Sequence, residues 1–252
     1  MEWSVFVLSD TGSVRRRNED AAVVGTRIFR NESMAWEESY GSMPTALAAG
    51  VADGVGGGAA GDVASRLCLE RLVGDLEAYD GGLSDADLRG RLEATVGELH
   101  NEVRRQGMLH SERNGMATTL SSFVWYEGAL YMVHSGDSRL YLYRGGALSR
   151  LTRDHTLREF TGNVNIPSNI LVNCIGVERD FFVDVASLES AGNSGDVLLA
   201  CTDGLTDTVP ERDISDIIGG GHDMATVGSE LMARANAAGA HDNVTFVLIK
   251  VS

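Results

Sequence analysis

Several segments along this chain alternate apolar and polar residues with a period of two and end in turn residues. The segments "WSVFVLSD", "AAVVGTRIF", "TTLSSFVWYEG", "ALYMVHSGD", "RLYLYRGG", "FFVDVASL", "DVLLACTDG" and "NVTFVLIKVS" all read this way. Alternation sends successive side chains to opposite faces of a strand, so these segments are expected to be strands. The short turns at Glu127-Gly128 and Gly145-Gly146 join neighbours directly, which implies antiparallel pairing.

The period changes in three places. From Asp62 to about Tyr79 the apolar set Val63, Leu67, Leu72 and Leu76 has helical spacing. From Ser84 the set Leu88, Leu92, Val96, Leu99 and Val103 steps by three or four, with Ser84 or Asp85 as the cap. A third helical stretch spans Met224 to Ala238, before the last strand. Antiparallel strands with helices in a few blocks predict an α+β layered domain, two sheets with helices packed outside, since each sheet must cover an apolar face. The polar stretches "RNESMAWEESYGSM" and "EFTGNVNIPSN" read as mobile loops.

Length and composition narrow the function. A chain of 252 residues can bury a large core and is expected to form one domain, residues 1–252. A formal charge of −15, relieved only by a short basic run at Arg15 to Arg17, argues against a nucleic-acid partner. Cys68, Cys174 and Cys201 are far apart in apolar contexts, with no CxxC pair, so they read as buried free thiols of a reducing compartment. The N-terminus has no basic start before an apolar stretch, and no stretch reaches the ~20 apolar residues of a membrane span. A cytoplasmic protein without a membrane partner is expected.

The chemistry lies in the acids. Carboxylates recur at strand ends: Asp10, Glu19 with Asp20, Asp53, Asp137, Asp203 and Asp242. One such aspartate is ordinarily a turn or helix cap, and Asp62, at the start of a helix, is read that way. The ensemble is different. Gathered in one cleft, like charges need a compensating cation, and an all-oxygen donor set favours Mg²⁺ or Mn²⁺ over zinc. Such ions polarise phosphoryl oxygens and activate water, working in pairs about 3.5–4 Å apart. The glycines of "VADGVGGGAAG" would then admit backbone close to the ions, Gly54 by its carbonyl oxygen. An arginine beside "NED" offers a planar fork for a phosphate dianion.

Two other readings of the glycine run fail on neighbouring residues. Gly56, Gly58 and Gly61 match a dinucleotide fingerprint, but a second helix follows the first before any strand, so no βαβ unit closes. A phosphate-binding P-loop would need Lys and Ser or Thr where Asp62 and Val63 stand.

With these residues in view the chain resembles the metal-dependent serine/threonine protein phosphatases of the protein phosphatase 2C type, bacterial-like, over nearly its whole length. The carrying motifs, in order, are "SDTGSVRRRNEDA", "VADGVGGGAAGDVAS", "GMATTL", "HSGDSRLYLYRGG", "LTRDHT", "CTDGLTD" and "HDNVTFVLI". The resemblance implies a four-layer α-β-β-α sandwich with a two-metal centre between the sheets. It implies that Asp53 bridges both ions, that Gly54 contributes its carbonyl, and that Asp203 and Asp242 complete the first ion. Glu19 and Asp20 then lie beside the second, Asp137 with Asp203 at a third, weaker one. Arg15 matches the phosphate-clamping arginine, with Arg16 and Arg17 as surface. It further implies phosphoserine or phosphothreonine hydrolysis by in-line attack of a metal-activated water, on phosphoproteins made by a serine/threonine kinase. A monomer is expected.

The chain departs from the family twice. Histidine is common in or just after the DG-x-GG turn, where Val55 and Gly58 stand here, so leaving-group protonation would fall to a metal-bound water. His155 and His241 are read as structural, bonded to loop carbonyls. The segment 156–175 is expected to be a short flap that leaves the cleft open. The alternative function is a catalytically weak relative used for binding or sensing; the presence of Asp53, Asp203 and Asp242 favours an enzyme.

Overall fold

The computed structural model describes residues 2–39, 44–55, 60–178, 180–189 and 191–252. One six-stranded sheet contains β1 (Glu2–Asp10), β4 (Glu32–Ser39), β10 (Arg139–Arg144), β11 (Ala147–Arg150), β13 (Val197–Cys201) and β14 (Val244–Val251), in the order β11-β10-β13-β14-β1-β4. The other contains β2 (Ala21–Val24), β3 (Arg27–Phe29), β5 (Ala46–Ala52), β8 (Leu120–Tyr126), β9 (Ala129–Ser135) and β12 (Asp184–Ser187), in the order β12-β9-β8-β5-β2-β3. All neighbours pair antiparallel. A small third ladder joins β6 (Gly54–Val55) to β7 (Ala117–Thr118).

Three apolar interfaces separate four layers. Between the sheets pack Trp3, Val5, Val7, Val51, Phe123, Trp125, Val247 and Ile249. The outer face of the β2/β5/β8/β9 sheet is covered by α1 (Gly61–Glu77) and α2 (Asp85–Leu109), through Leu69, Leu72, Leu92, Leu99 and Val103. The outer face of the other sheet is covered by α5 (Glu211–Gly219) and α6 (Met224–Ala237), through Ile214, Ile218, Val227 and Leu231. Both sheets are therefore buried on both faces, which is why strand interiors such as Ala46–Ala52 carry no polar side chain. Ser84 caps α2 as expected, accepting from the Asp87 N–H at 3.2 Å.

The fold corrects the loop reading of "RNESMAWEESYGSM". Residues Glu32–Ser39 form an edge strand paired along its length with β1, while 40–43 lie outside the described residues. Its polar look has a simple cause: an edge strand pairs on one side only and keeps Glu32 and Glu37 in water. Of "EFTGNVNIPSN", its first residues end the short helix α3 (Leu157–Thr161), which Thr156 caps.

Candidate active site

Antiparallel pairing explains how residues 15 to 242 meet. The start of one strand lies beside the end of its neighbour, so acids that precede strands can face acids that follow them. Asp20 precedes β2 and Asp53 follows β5, and the pair Ala21↔Ala52 sets them side by side. In the other sheet Asp242 precedes β14, while Asp203 follows β13 and opens the one-turn helix α4 (Asp203–Thr206). Asp242 and Glu19-Asp20 thus stand before strands and not after them, as the strand-end pattern had them. Asp137 sits where the chain passes from β9 in one sheet to β10 in the other. Asp10, also in that pattern, is a turn acid that accepts from the Gly12 N–H at 2.8 Å.

These residues line a cleft of about 230 Å³: Arg15, Glu19, Asp53, Gly54, Val55, Asp137, Asp203 and Asp242, with Asn169, Leu171 and Asn243. An adjoining recess adds Arg139, Asp154, Ser168 and Asp207 beside Asp137 and Asp203. Gly58, like Gly56 and Gly57, lies outside the described residues. Gly54 and Gly61 meet backbone to backbone: a Cβ on Gly54 would stand 2.3 Å from the Gly61 carbonyl oxygen and 2.7 Å from that of Glu19. That contact excludes a side chain at Gly54.

The electrostatics are those of a charge deficit. Burial, then repulsion from Asp207 and Asp242, pushes Asp203 up to about 6. Burial and the nearby Asp203 push Asp20 to about 7, against a hydrogen bond from Thr202. Burial, Asp203 and Asp154 push Asp137 to about 8. Asp53 is raised well above the usual carboxylate range by burial and by Asp20, Asp203, Asp137 and Asp242 together. With so many carboxyls crowding it, Asp53 needs a proton or a cation beside it. Among the described residues no three acid, histidine or cysteine side chains already form a closed ligand group. The donor chemistry nevertheless fits hard cations: four buried or half-buried carboxylates that cannot all ionise alone, beside a backbone carbonyl at a glycine no side chain could replace.

A second set of polar residues, unread in the sequence, holds this geometry. The Thr202 hydroxyl donates to Asp20 Oδ2 at 2.9 Å. The Asp53 N–H donates to Thr119 Oγ1 at 3.0 Å, while its carbonyl accepts from the Thr119 N–H at 2.8 Å and from Thr118 Oγ1 at 2.9 Å. Asn243 accepts from the Glu19 N–H and donates to the carbonyls of Thr11 and Arg17. The available signal was a buried polar residue interrupting an apolar strand, as in "ATTL" and "ACTD". His155 is structural but not through loop carbonyls: its Nδ1 accepts from the Gly136 N–H and Asn173 Nδ2, and its Nε2 donates to Asp184 at 3.1 Å. His241 is exposed.

A cleft that gathers carboxylates around one arginine suits a cation and a phosphate together, and the class it points to is a phosphoprotein phosphatase. The chain belongs to the protein phosphatase 2C family, whose model matches residues 38–247. It is 31% identical to the serine/threonine phosphatase stp of Listeria monocytogenes over 252 residues, covering 96% of this chain and 93% of that one. It is 30% identical to the serine/threonine protein phosphatase PstP of Mycobacterium tuberculosis, covering 96% of this chain and 44% of that longer protein. The fold matches the structure of M. tuberculosis PstP/Ppp with a TM-score of 0.79 at 29% identity, all of both chains being covered. It also matches that of the S. agalactiae serine/threonine phosphatase, with a TM-score of 0.83 at 23% identity over 99% of this chain and all of the other. The protein is a serine/threonine phosphatase of a metal-dependent family, with the α+β sandwich expected from its sequence. No helix among the described residues is long and apolar enough to cross a membrane.

Proposed function

We propose that residues 1–252 act as one catalytic domain that hydrolyses phosphoserine and phosphothreonine with two Mn²⁺ or Mg²⁺ ions, and a third, weaker one at Asp137 and Asp203. The observation that carries this reading is the set of acids, drawn from both sheets, that raise one another's affinity for protons around Asp53. Asp53, Gly54 through its carbonyl, Asp203 and Asp242 would hold the first ion, with Asp53, Glu19 and Asp20 beside the second. When bound, such ions supply Lewis-acid polarisation and the acidification of water.

The remaining work falls to the chain itself. Arg15 would receive the phosphate dianion at the cleft mouth, where its guanidinium is half-exposed and already paired with Asp242. Thr119, Thr202 and Asn243 fix the loops that carry the acids, so little reorganisation is needed at the moment of reaction. Val55, at the position of the family histidine, has no proton to give the leaving oxygen, so that proton must come from water.

The segment 156–175 would serve as the flap, closed at its base by the Thr156↔Leu171 bridge. A monomer is proposed. The buried thiols of Cys68 and Cys201 support a reducing cytoplasmic setting, with substrates phosphorylated by a serine/threonine kinase. Phosphate release from a phosphothreonine peptide after metal stripping tests the reading: release should return with Mn²⁺ and stay absent with chelator. Equal release in both conditions would overturn it.

A further inference from the structure

Eight large apolar side chains are exposed among the described residues, and five of them, Leu157, Phe160, Val164, Ile170 and Phe182, fall within one short stretch of chain. Several are contiguous in space. The Leu157 N–H donates to the Ile170 carbonyl at 2.8 Å, Phe160 follows Leu157 by one turn of α3, and the Phe160 and Phe182 rings lie 6.1 Å apart. The Arg153 guanidinium, paired with Glu159 at 3.2 Å, stands 5.4 Å from the Phe160 ring at the patch margin. Val164 is 79% exposed. Apolar surface concentrated in this way is characteristic of an interaction site.

The patch adjoins the cleft. Asn169 and Leu171 line the cleft beside Asp53 and Asp203, and Ile170 lies between them on the segment that pairs with 156–157. Exposed Ile170 thus sits one residue from each of two residues that line the cleft, so the patch begins at the cleft rim. Because the enzyme acts on phosphoproteins, a polypeptide that brings its phosphorylated residue to the cleft has this apolar rim beside it. The cleft itself offers acids and Arg15, groups that read the phosphate and its charge, with Val55 and Leu171 as its aliphatic lining among the described residues.

We infer that the patch formed by Leu157, Phe160, Val164, Ile170 and Phe182 is a docking surface for the substrate's own chain, selecting phosphoproteins with a bulky apolar residue within a few positions of the phosphorylated one. This rests on the phosphatase reading of the cleft. The test is a leucine scan through positions −4 to +4 of an alanine-rich phosphothreonine peptide. kcat/KM is measured with Mn²⁺ for the wild-type chain and for a Phe160→Ser, Val164→Ser double variant, with p-nitrophenyl phosphate as a substrate without flanks.

Leucine at one or two positions should raise wild-type kcat/KM at least 5-fold over alanine. The double variant should reduce that preference below 2-fold and leave p-nitrophenyl phosphate turnover unchanged. A flat wild-type scan overturns the inference, as does a preference that survives the double substitution. So does a wild-type dimer in sedimentation that the double variant converts to monomer, which would make a second copy the occupant. Failure of the wild type on every peptide and on p-nitrophenyl phosphate would instead overturn the phosphatase reading itself.

Discussion

Arg15 and Asp242, 227 residues apart in sequence, are joined at the cleft mouth by an ion pair of 2.6 Å between Nη2 and Oδ2. The pair ties the loop after β1 to the loop before β14, one leading into Glu19-Asp20 and the other carrying an acid of the site. It also holds a cationic fork in place before any phosphate arrives.

Arg15→Ala should therefore lower kcat/KM for a phosphothreonine peptide by about 10- to 100-fold, the range expected for losing charge-assisted hydrogen bonds of ~1.5–3 kcal/mol. Arg15→Lys, which keeps the charge without the fork, should fall between. Steady-state kinetics at saturating Mn²⁺ checks both, and an unchanged kcat/KM in the alanine variant would remove Arg15 from the site.

Without metal, the acid cluster makes stability depend on pH. Asp203, Asp20 and Asp137 have folded-state values of about 6, 7 and 8, above the ordinary 3.8. The folded state therefore holds protons that the unfolded chain releases. Their contribution is complete below about pH 4 and is lost as pH rises through 6 to 8. Melting temperature of the metal-free chain should fall from pH 5 to pH 8, less steeply in Asp203→Asn, and Mn²⁺ should raise it more at pH 8 than at pH 5. A pH slope identical in wild type and variant would contradict this.

Gly54→Ala places a methyl group 2.3 Å from the Gly61 carbonyl oxygen and 2.7 Å from that of Glu19, and the atoms that must yield are backbone. The substitution should cost about 2 kcal/mol or more by urea denaturation and abolish Mn²⁺-dependent turnover. Gly82, where nothing lies within 4 Å but φ is +83°, isolates backbone strain from crowding. An alanine there should leave turnover intact.

His155 holds the base of the 156–175 segment to the loop of Asp137. Its backbone N–H donates to the Gly136 carbonyl, its own carbonyl accepts from Val172, and its buried ring satisfies Gly136 and Asn173. His155→Ala takes the ring acceptor from the Gly136 N–H, at ~1–3 kcal/mol, and leaves a cavity where the buried ring stood, while Asn173 keeps its bonds to Ser135 and the Phe182 carbonyl. Denaturation should show a loss of about 2–4 kcal/mol, against less than 1 kcal/mol for Asp184→Asn, whose carboxylate is half-exposed.

The parts legible in the sequence were those in which one residue type has one physical use. Leu88 to Val103 mark a single helical face, and Glu127-Gly128 make a turn with both φ values positive, 47° and 86°. The acids were legible because so many stood at strand boundaries. The edge strand 32–39 was not, since its solvent-facing glutamates carry the signal of a loop. Helix α5 was missed because only Ile214 and Ile218 of its nine residues are buried, too few to establish a period. Thr119, Thr202 and Asn243 act through partners more than 40 residues away, and no local pattern reports that.

The central claim is that the acids around Asp53 form the catalytic metal centre. Mn²⁺-dependent phosphate release by Asp53→Asn, beside wild type and after circular dichroism has shown both to be folded, tests it most directly. The account predicts a loss of at least about 100-fold, the scale on which removing one preorganised electrostatic group acts. Turnover within a few-fold of wild type would contradict it.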